Sequence, residues 1–569
     1  MGGLFIENSD EGGIARRLWM KFKDESIFAT YTPFVIGLAS GTLDSHTFLH
    51  CISQDVYFLQ AYSQAYELAE EYADDDEDKE AIDMLRKRVL RKLSDHDNIV
   101  RDWGFELPKD GTCDGATVKY TDFLMATALG KVEGEKFSGK IVTPFEKTKL
   151  AAYTLSAIAP CMRLYSFVSK EIKAIFDPEE DKRNAYEKWI DSLSSDKFEA
   201  VASTIEDLLD KLSVSLTGGE LEIVEKLYFQ ALKLELEFLS AQPIIQSSLV
   251  PVSQVQVPAK SNLKVFCDFD MTCSAFDSSA LLAEMAIMTA RKAYLNECET
   301  QASQVITPDL SAAWGSLSSK YIEEYEQCID SIIPAEAVGN FDYEGLCKAL
   351  ENLSDIEKRA NAMVVDSGVL KGLSEDDIRR AGEHLIFQRG CKNFFQEITR
   401  NEDLIAGVHV LSYCWSGDLI RSAFSSGDSG VLSVHSNELI YEGSITTGEI
   451  IQKMESPMDK LETFNGILNC HGNASKPLTV YIGGSVGDLL CLLKADIGIV
   501  IGMSARLRTL GEQFGITFVP LFSGLVKKQR ELSESGCCPW NGMSGILYTV
   551  SSWAEIHAAI LGSYKTGDN

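Results

Sequence analysis

The sequence lacks the features that mark membrane, secreted and organelle-targeted proteins. No window approaches the roughly 20 consecutive apolar residues that cross a bilayer, and residues 1–25 contain no apolar signal-peptide core. The same stretch is acidic, whereas transit peptides are poor in acids. We therefore expect a soluble cytoplasmic protein, and a longer form with a mitochondrial targeting segment stays an open alternative.

Positive charge is also scarce. The chain has 53 lysines and arginines against 84 aspartates and glutamates, which gives a formal net charge of −31. This excess argues against nucleic acid or an anionic membrane as the main partner, because both are themselves negative. Small-molecule substrates are the partners that we expect.

Cysteine and histidine are present without the spacing that makes them ligands. The 14 cysteines include no CxxC pair, and the 8 histidines include no HExxH motif. Neither a disulfide framework nor a zinc site is therefore predicted, and a reducing compartment fits this composition.

The chain changes its pattern near the middle. From about residue 13 to residue 242, apolar residues recur at three- and four-residue spacing, which predicts helices. Residues 241–262 then combine prolines with Ser and Gln and show no periodicity, as is typical of a linker. We predict an all-helical domain at 1–240, a linker at 241–262 and a second domain at 263–569.

The second domain alternates short apolar strands with helical segments, which predicts a parallel α/β sheet covered on both faces. The predicted strands lie at residues 263–269, 407–414, 478–484 and 497–502. A long helical insertion at about 275–400 follows the first strand. Since open α/β sheets bind ligands at the carboxyl ends of their strands, we expect this insertion to form a helical cap over a site.

The first strand runs into the stretch DFDMT, which contains Asp268 and Asp270. Two carboxylates this close repel each other and cost desolvation, so the pair persists where a cation or a bound proton offsets that cost. Because the two residues are two apart in extended chain, their side chains lie on the same face. One can attack an electrophile while the other transfers a proton.

This stretch and three later ones resemble the haloacid dehalogenase (HAD) superfamily of phosphohydrolases. The resemblance implies that Asp268 attacks phosphorus and that Asp270 protonates the leaving oxygen. It implies that Ser412, in GVHVLSYCWSG, hydrogen-bonds the phosphoryl group, with Ser416 as the competing choice. It also implies that Lys460, in SPMDKLETF, neutralises the nucleophile and the phosphate.

The last HAD motif, in VYIGGSVGDLL, departs from the family pattern. The resemblance implies Mg²⁺ held by the Asp268 carboxylate and the Asp270 backbone carbonyl, with Asp488 as a ligand or as a support through water. Gly484 stands where the family usually has another acid. Magnesium keeps several waters and often takes only one or two protein carboxylates, so we expect weakened metal binding and not its loss.

Five stretches span nearly the whole first domain: SGTLDSHTFLHCISQDVYFL, YTDFL, APCMRLYSFV, YEKWIDSLSSDKF and LYFQALKLELEF. They resemble the TenA family of all-helical proteins, which hydrolyse thiamin or its pyrimidine breakdown products. The implied roles are these: Cys161 as nucleophile, Glu235 as acid and base with Glu237 competing, Asp55 as pyrimidine anchor, and Tyr120 and Tyr165 as hydrogen-bonding or stacking residues.

The TenA resemblance also has departures. Phe58 and Leu193 stand where TenA enzymes can carry tyrosines. The loss of two hydroxyl groups makes the predicted pocket more apolar and leaves its choice of substrate open.

Taken together, the two halves resemble plant fusion proteins of thiamin metabolism. The resemblance implies that the HAD half dephosphorylates thiamin monophosphate while the TenA half hydrolyses aminopyrimidine fragments, and that the helical half can form homo-oligomers. A broad-specificity phosphatase of small metabolites is one alternative. A thiamin-related binding protein with a disabled phosphatase site is another, and the features that favour it are Gly484 and Leu193.

Overall fold

The computed structural model describes residues 12–107, 112–132, 144–176, 184–255, 263–298, 310–334, 339–401, 406–425, 432–469, 477–536 and 540–562. The end of the predicted linker at 256–262 and two parts of the predicted cap, 299–309 and 335–338, lie outside the described residues. The chain divides into two compact units. One comprises Met1–Val252, Leu525–Cys537 and Ala558–Asn569, and the other comprises Ser253–Gly524 and Cys538–His557.

The described residues before the predicted linker are helical, as their periodicity predicts. The helices are α1 (Ile14–Lys21), α2 (Lys23–Thr30), α3 (Pro33–Ser40), α4 (Ser45–Tyr72), α5 (Asp76–Ser94), α6 (His96–Asp102), α7 (Gly115–Ala128), α8 (Pro144–Ala174), α9 (Glu187–Leu193), α10 (Asp196–Ser213) and α11 (Gly218–Ser240).

Polar residues fix where two of the long helices, α4 and α11, begin. The Asp44 carboxylate accepts a hydrogen bond from the backbone N–H of His46 at 2.9 Å, at the start of α4. Thr217 and Glu220 form a reciprocal capping box at the start of α11. Helices α4, α7, α8 and α11 pack against one another, and their apolar faces form the core of this unit.

The second unit is built on a parallel sheet. Its strands in the described residues are β1 (Leu263–Cys267), β2 (Ala406–Leu411), β3 (Leu432–His435), β6 (Leu478–Gly483), β7 (Ile497–Ile501), β8 (Thr517–Pro520) and β9 (Ile546–Val550), and β4 (Glu438–Glu442) pairs with β5 (Ile445–Ile451) in a separate antiparallel hairpin. The order across the sheet is β3-β2-β1-β6-β7-β9-β8, and each neighbouring pair is parallel.

Further helices follow β1 in the described part of the chain. They are α12 (Ser278–Cys298), α13 (Leu310–Ile332), α14 (Tyr343–Ser367), α15 (Glu375–Glu383), α16 (Cys391–Arg400), α17 (Gly417–Phe424), α18 (Pro457–Asn469), α19 (Leu489–Lys494), α20 (Ala505–Gln513), α21 (Leu521–Ser535) and α22 (Trp553–Ile560). The last two, α21 and α22, each fall partly in the first unit. Helices α12 to α16 fall between β1 and β2, where the sequence predicts the cap. No helix in the described part of the chain is both long and apolar enough to cross a membrane.

Strand order brings the predicted site residues of the second unit together. Strand β1 lies between β2 and β6, and the strands are fully or largely buried. The carboxyl ends of parallel strands meet at one edge of the sheet. Asp268, Ser412 and Gly484 directly follow these strands and therefore lie at the same edge.

Candidate active sites

A buried cation joins two acids at the carboxyl edge of the sheet. Lys460, on α18, is 0% exposed, and its Nζ donates to Asp268 Oδ1 at 2.9 Å and to Asp488 Oδ1 at 2.8 Å. Burial alone would lower the pKa of Lys460, but Asp268 and Asp488 raise it well above its ordinary value. The lysine therefore stays charged and holds the two carboxylates on either side of it.

Asp268 keeps one carboxylate oxygen away from this ion pair. Its Oδ1 faces Lys460, whereas its Oδ2 accepts from Thr272 Oγ1 at 3.3 Å. Its backbone N–H donates to the Ile482 carbonyl on β6 at 2.9 Å, which fixes the residue at the end of the sheet. Burial and the nearby Asp488 charge raise the pKa of Asp268 above its ordinary range, although Lys460 opposes them.

Asp270 is held in a different environment from Asp268. The backbone N–H of Ser278, the first residue of α12, donates to Asp270 Oδ1 at 2.7 Å, and its hydroxyl donates to Oδ2 at 3.0 Å. Burial first, then the charges of Asp277 and Asp268, raise the pKa of Asp270 to about 7. Two carboxyl groups whose environments differ in this way suit an acid and base paired with a nucleophile.

The two serine candidates have different positions. Ser412 follows β2, and its Oγ lies 3.5 Å from Asp270 Oδ2 and accepts from the Cys414 N–H at 3.0 Å. Ser416 caps α17, where its Oγ accepts from the Leu419 N–H at 3.4 Å. The structure therefore brings Ser412 to the carboxylates and gives Ser416 a role in starting a helix.

Asp488 is engaged by the protein on both oxygens. Oδ1 accepts from Lys460 Nζ and, at 2.9 Å, from the Tyr481 hydroxyl. Oδ2 accepts from the N–H of Gly484 at 3.2 Å, from the N–H of Ser485 at 3.0 Å and from the Ser485 hydroxyl at 2.6 Å. Burial would raise the pKa of Asp488, but Lys460 and these hydrogen bonds lower it below its usual range. Direct ligation of a metal by this carboxylate would require some of these bonds to be broken.

Gly484 is packed so that it leaves no room for a side chain. A Cβ added there would lie 2.4 Å from the backbone carbonyl oxygen of Ile501 at the end of β7. The sequence lacks the acid that the HAD resemblance predicts at this position, and the Ile501 carbonyl occupies the space that its side chain would need. In the described residues, no three His, Cys, Asp or Glu side chains are grouped as metal ligands.

We predict that Gly484→Ala lowers the free energy of unfolding of the second unit by about 1–3 kcal/mol, because overpacking forces the backbone at Ile501 to move. Denaturation followed by tryptophan fluorescence measures the change. Gly466→Ala on α18 is the matched control, since an added Cβ there meets nothing within 4 Å and alanine favours a helix. Equal stability of Gly484→Ala and the unmodified chain would contradict the prediction.

In the helical unit, the predicted nucleophile and acid lie side by side. Cys161, on α8, and Glu235, on α11, are 8% and 1% exposed, and each acts on the pKa of the other. Burial, followed by the Glu235 charge, raises the pKa of Cys161 well above its ordinary value. Burial also raises the pKa of Glu235 to about 7. The thiol is thus protonated near neutral pH and has an adjacent carboxyl group that can take its proton.

The competing glutamate points elsewhere. Glu237 pairs with Lys119, and both of these side chains are partly exposed. Glu235 is instead in contact with the Tyr120 hydroxyl, which donates to the Ala157 carbonyl at 3.2 Å. The structure therefore brings Glu235, and not Glu237, together with Cys161 and Tyr120.

Asp55 lies in the same electrostatic environment as Cys161 and Glu235 but has basic partners of its own. Lys92 Nζ donates to Asp55 Oδ2 at 3.3 Å, and His96 Nε2 lies 3.9 Å from the same oxygen. Burial would raise the pKa of Asp55, but Lys92 and His96 lower it below its ordinary value. Tyr165 is half-buried, and its ring meets Trp189 edge-on at 6.4 Å.

Sequence reasoning missed Tyr62, which belongs to the helical site. Tyr62 donates to the Tyr120 hydroxyl at 3.2 Å and lies near enough to Cys161 for that thiol to influence its pKa. Helical spacing was the available signal, because Asp55, Phe58 and Tyr62 are separated by three and four residues and so share one face of α4. Phe58 packs its ring against Tyr120 at 5.5 Å, and Leu193 is buried at the end of α9.

The chain is similar to several known proteins. Residues 20–132 and 145–243 match the TENA/THI-4/PQQC family. The chain is 53% identical over 563 residues to the "Bifunctional TH2 protein, mitochondrial" of Arabidopsis thaliana. The match covers 98% of this chain and 91% of the relative. It is 25% identical over 209 residues to an aminopyrimidine aminohydrolase of Helicobacter pylori, across 36% of this chain and 87% of that one.

The comparison with solved structures gives a weaker similarity. A phospho-aspartyl intermediate analogue of phosphoserine phosphatase is 18% identical with a TM-score of 0.25, and the match covers 44% of this chain and 90% of that one.

The fold and sites define a two-part protein in which a helical bundle that matches the TENA/THI-4/PQQC family is followed by a parallel α/β unit, as the sequence predicts. The chain belongs to the family of bifunctional TH2 proteins.

Proposed function

We propose that this protein is a bifunctional hydrolase of thiamin metabolism. The second unit dephosphorylates thiamin monophosphate to thiamin, and the helical unit hydrolyses aminopyrimidine fragments of thiamin. The observation that carries the proposal is the buried Asp268–Lys460–Asp488 ion pair beside Asp270 at the carboxyl edge of the sheet. The names of the relatives, a bifunctional protein and aminopyrimidine aminohydrolases, support it.

In the phosphatase reaction, Asp268 Oδ2 forms a bond to phosphorus while the bond between phosphorus and the ester oxygen breaks. Asp270 gives its proton to the departing oxygen, which leaves as the alcohol. Water then attacks the aspartyl phosphate, Asp270 takes the proton of that water, and free phosphate leaves. Lys460 and Ser412 stabilise the charge on the transferred group.

Mg²⁺ is the cofactor that we propose for this unit. One carboxylate, Asp268, and the backbone carbonyl of Asp270 would hold it, with waters and the substrate phosphate as further ligands, a set that magnesium accepts. When bound, the ion would supply positive charge to the phosphoryl oxygens. Because Asp488 is engaged on both oxygens, we assign it a supporting role, which is to orient Lys460 and the loop at Gly484.

In the helical unit, Glu235 takes the proton of the Cys161 thiol as the sulfur attacks the methylene carbon next to the aminopyrimidine ring. The bond from that carbon to the leaving amine breaks, and the proton on Glu235 passes to the amine. Water then attacks the same carbon and the carbon–sulfur bond breaks. Glu235 takes a proton from that water and returns it to the Cys161 sulfur, so the alcohol leaves and the thiol is restored. Asp55, ionised by its basic neighbours, anchors the amino group of the ring. Tyr120 and Tyr165 hydrogen-bond or stack on the ligand.

The proposal predicts phosphate release from thiamin monophosphate that depends on Mg²⁺, with a value of kcat/KM at least about tenfold above those for sugar phosphates and p-nitrophenyl phosphate. A panel of phosphate esters, assayed across a range of magnesium concentrations, measures this preference. Equal rates on all esters would favour a broad-specificity phosphatase. Tight binding of thiamin monophosphate without turnover would instead show a binding protein with a disabled site.

Location and assembly are further parts of the proposal. The Arabidopsis relative is named as mitochondrial, which supports the alternative of a mitochondrial longer form over the cytoplasmic expectation. We also propose that the helical unit forms homo-oligomers, and light scattering of the full chain tests this.

A further inference from the structure

Two helices of the cap present an acidic and aromatic face that phosphoryl transfer does not use. On α13, Trp314, Tyr321 and Tyr325 are seven and four residues apart and so share a face. On α14, Glu357 and Asn361 are four residues apart. The helices pack together, and the Tyr321 hydroxyl donates to Glu357 Oε1 at 2.9 Å.

The residues around Asn361 tie this face to the loop that follows Ser412. Trp415 Nε1 donates to Asn361 Oδ1 at 3.0 Å, and the rings of Trp314 and Trp415 meet edge-on at 6.2 Å. Asn361 Nδ2 also donates to Glu455 Oε1 at 3.1 Å, just before α18. These contacts fix α13 and α14 over the carboxyl edge of the sheet.

Glu357 lies one turn before Asn361 and within electrostatic range of the catalytic group. The Lys460 charge acts on Glu357, and the Glu357 charge in turn acts on Tyr413. Tyr413 lies beside Lys460, since Lys460 Nζ is 4.2 Å from the centre of the Tyr413 ring. Helix α14 also packs on α18, which carries Lys460.

The chemistry of this face favours a positively charged ligand. Burial raises the pKa of Glu357 to about 7, even though the hydrogen bond from Tyr321 opposes the shift. A half-buried carboxyl group of this kind gains most from a cation brought beside it, and tyrosine rings attract cations through their faces. Glu357, Tyr321, Tyr325 and Tyr413 are all half-buried, so each keeps some surface for contact.

We propose that Glu357, together with Tyr321, Tyr325 and Tyr413, forms a subsite that binds the cationic heteroaromatic part of the phosphate ester and thereby determines specificity. The inference rests on the proposed phosphatase function and deepens it. Thiamin monophosphate fits because its thiazolium ring carries a fixed positive charge, whereas sugar phosphates and p-nitrophenyl phosphate have no cationic group to place there.

Glu357→Gln in the full chain tests the subsite, because it removes the charge and keeps the shape. For thiamin monophosphate, we expect KM to rise about tenfold or more with kcat changed less than about threefold. For p-nitrophenyl phosphate, we expect both constants to stay unchanged. Glu351→Gln, an exposed residue of the same helix, is the matched control and should behave like the unmodified chain. An equal loss on both esters would show that Glu357 only holds the helices together.

A binding measurement separates this inference from the proposed function. We expect calorimetry with thiamin, in a chain whose helical site is altered by Asp55→Asn, to show about tenfold weaker binding when Glu357→Gln is added. Unchanged affinity overturns the subsite whether or not the phosphatase turns over. If the unmodified chain shows no preference for thiamin monophosphate, the proposed substrate fails, and phosphocholine against p-nitrophenyl phosphate then tests the cation preference alone.

Discussion

Asp268→Asn is expected to abolish phosphate release, with a loss on the order of 10⁴-fold or more in kcat, because an amide cannot form the aspartyl phosphate. The fold should survive the change. The amide oxygen can still accept from Lys460, and Asp488 keeps its ion pair with the same lysine. Phosphate release from thiamin monophosphate by purified protein, corrected for contaminating phosphatases, measures the effect.

Two controls make this result specific to Asp268. Asp355→Asn changes an exposed acid on α14 and should leave phosphate release intact. Aminopyrimidine hydrolysis by the Asp268→Asn variant should also persist, since Cys161 and Glu235 belong to the other unit. Undiminished phosphate release by the variant would refute the assignment of the nucleophile.

The central strands could be predicted from sequence because they are buried and apolar. Strands β1, β6 and β7 fall within the predicted ranges, β2 begins one residue before its predicted range, and the four lie side by side in the sheet. The edge strands β3 and β8 were missed, because both are only partly buried and β8 ends in a proline, which suits an edge. Strand β9 has an apolar sequence and could have been predicted from its residues.

The sequence could predict a site residue where its place follows from the end of a strand. It could not predict one whose role depends on the tertiary contacts of its side chain. Asp268 and Ser412 follow adjacent strands, so their meeting could be foreseen. The hydrogen bonds that Tyr481 and Ser485 donate to the Asp488 carboxylate could not be foreseen, because they depend on how the loop after β6 folds back. The contact between Gly484 and the Ile501 carbonyl likewise joins different strands.

The choice between two glutamates on α11 shows how far periodicity alone can go. Ala231 and Phe238 are buried, and Glu235 stands four residues after the first and three before the second. It therefore shares their face, whereas Glu237 falls on a more exposed one. What periodicity could not show is that this buried face meets Cys161 and Tyr120, because those residues come from α8 and α7.

Glu235→Gln is expected to lower aminopyrimidine hydrolysis by about 10²–10⁴-fold, the usual contribution of a general acid or base. In the unmodified chain, the rate should rise with pH through about 7, where the Glu235 carboxyl group loses its proton and can accept one from Cys161. The variant should lose this step from its profile of kcat/KM against pH. Glu237→Gln, at the surface beside Lys119, should keep both the rate and the step.

The pH dependence of the free energy of unfolding also reports on the Glu235 carboxyl group. Because its pKa is raised from 4.5 to about 7 in the folded protein, Glu235 binds more protons when folded than when unfolded across that window. The free energy of unfolding should therefore fall as pH rises from about 4.5 to 7, and Glu235→Gln should make this fall shallower. A variant that retains both the activity and the pH step near 7 would show that another group takes the thiol proton.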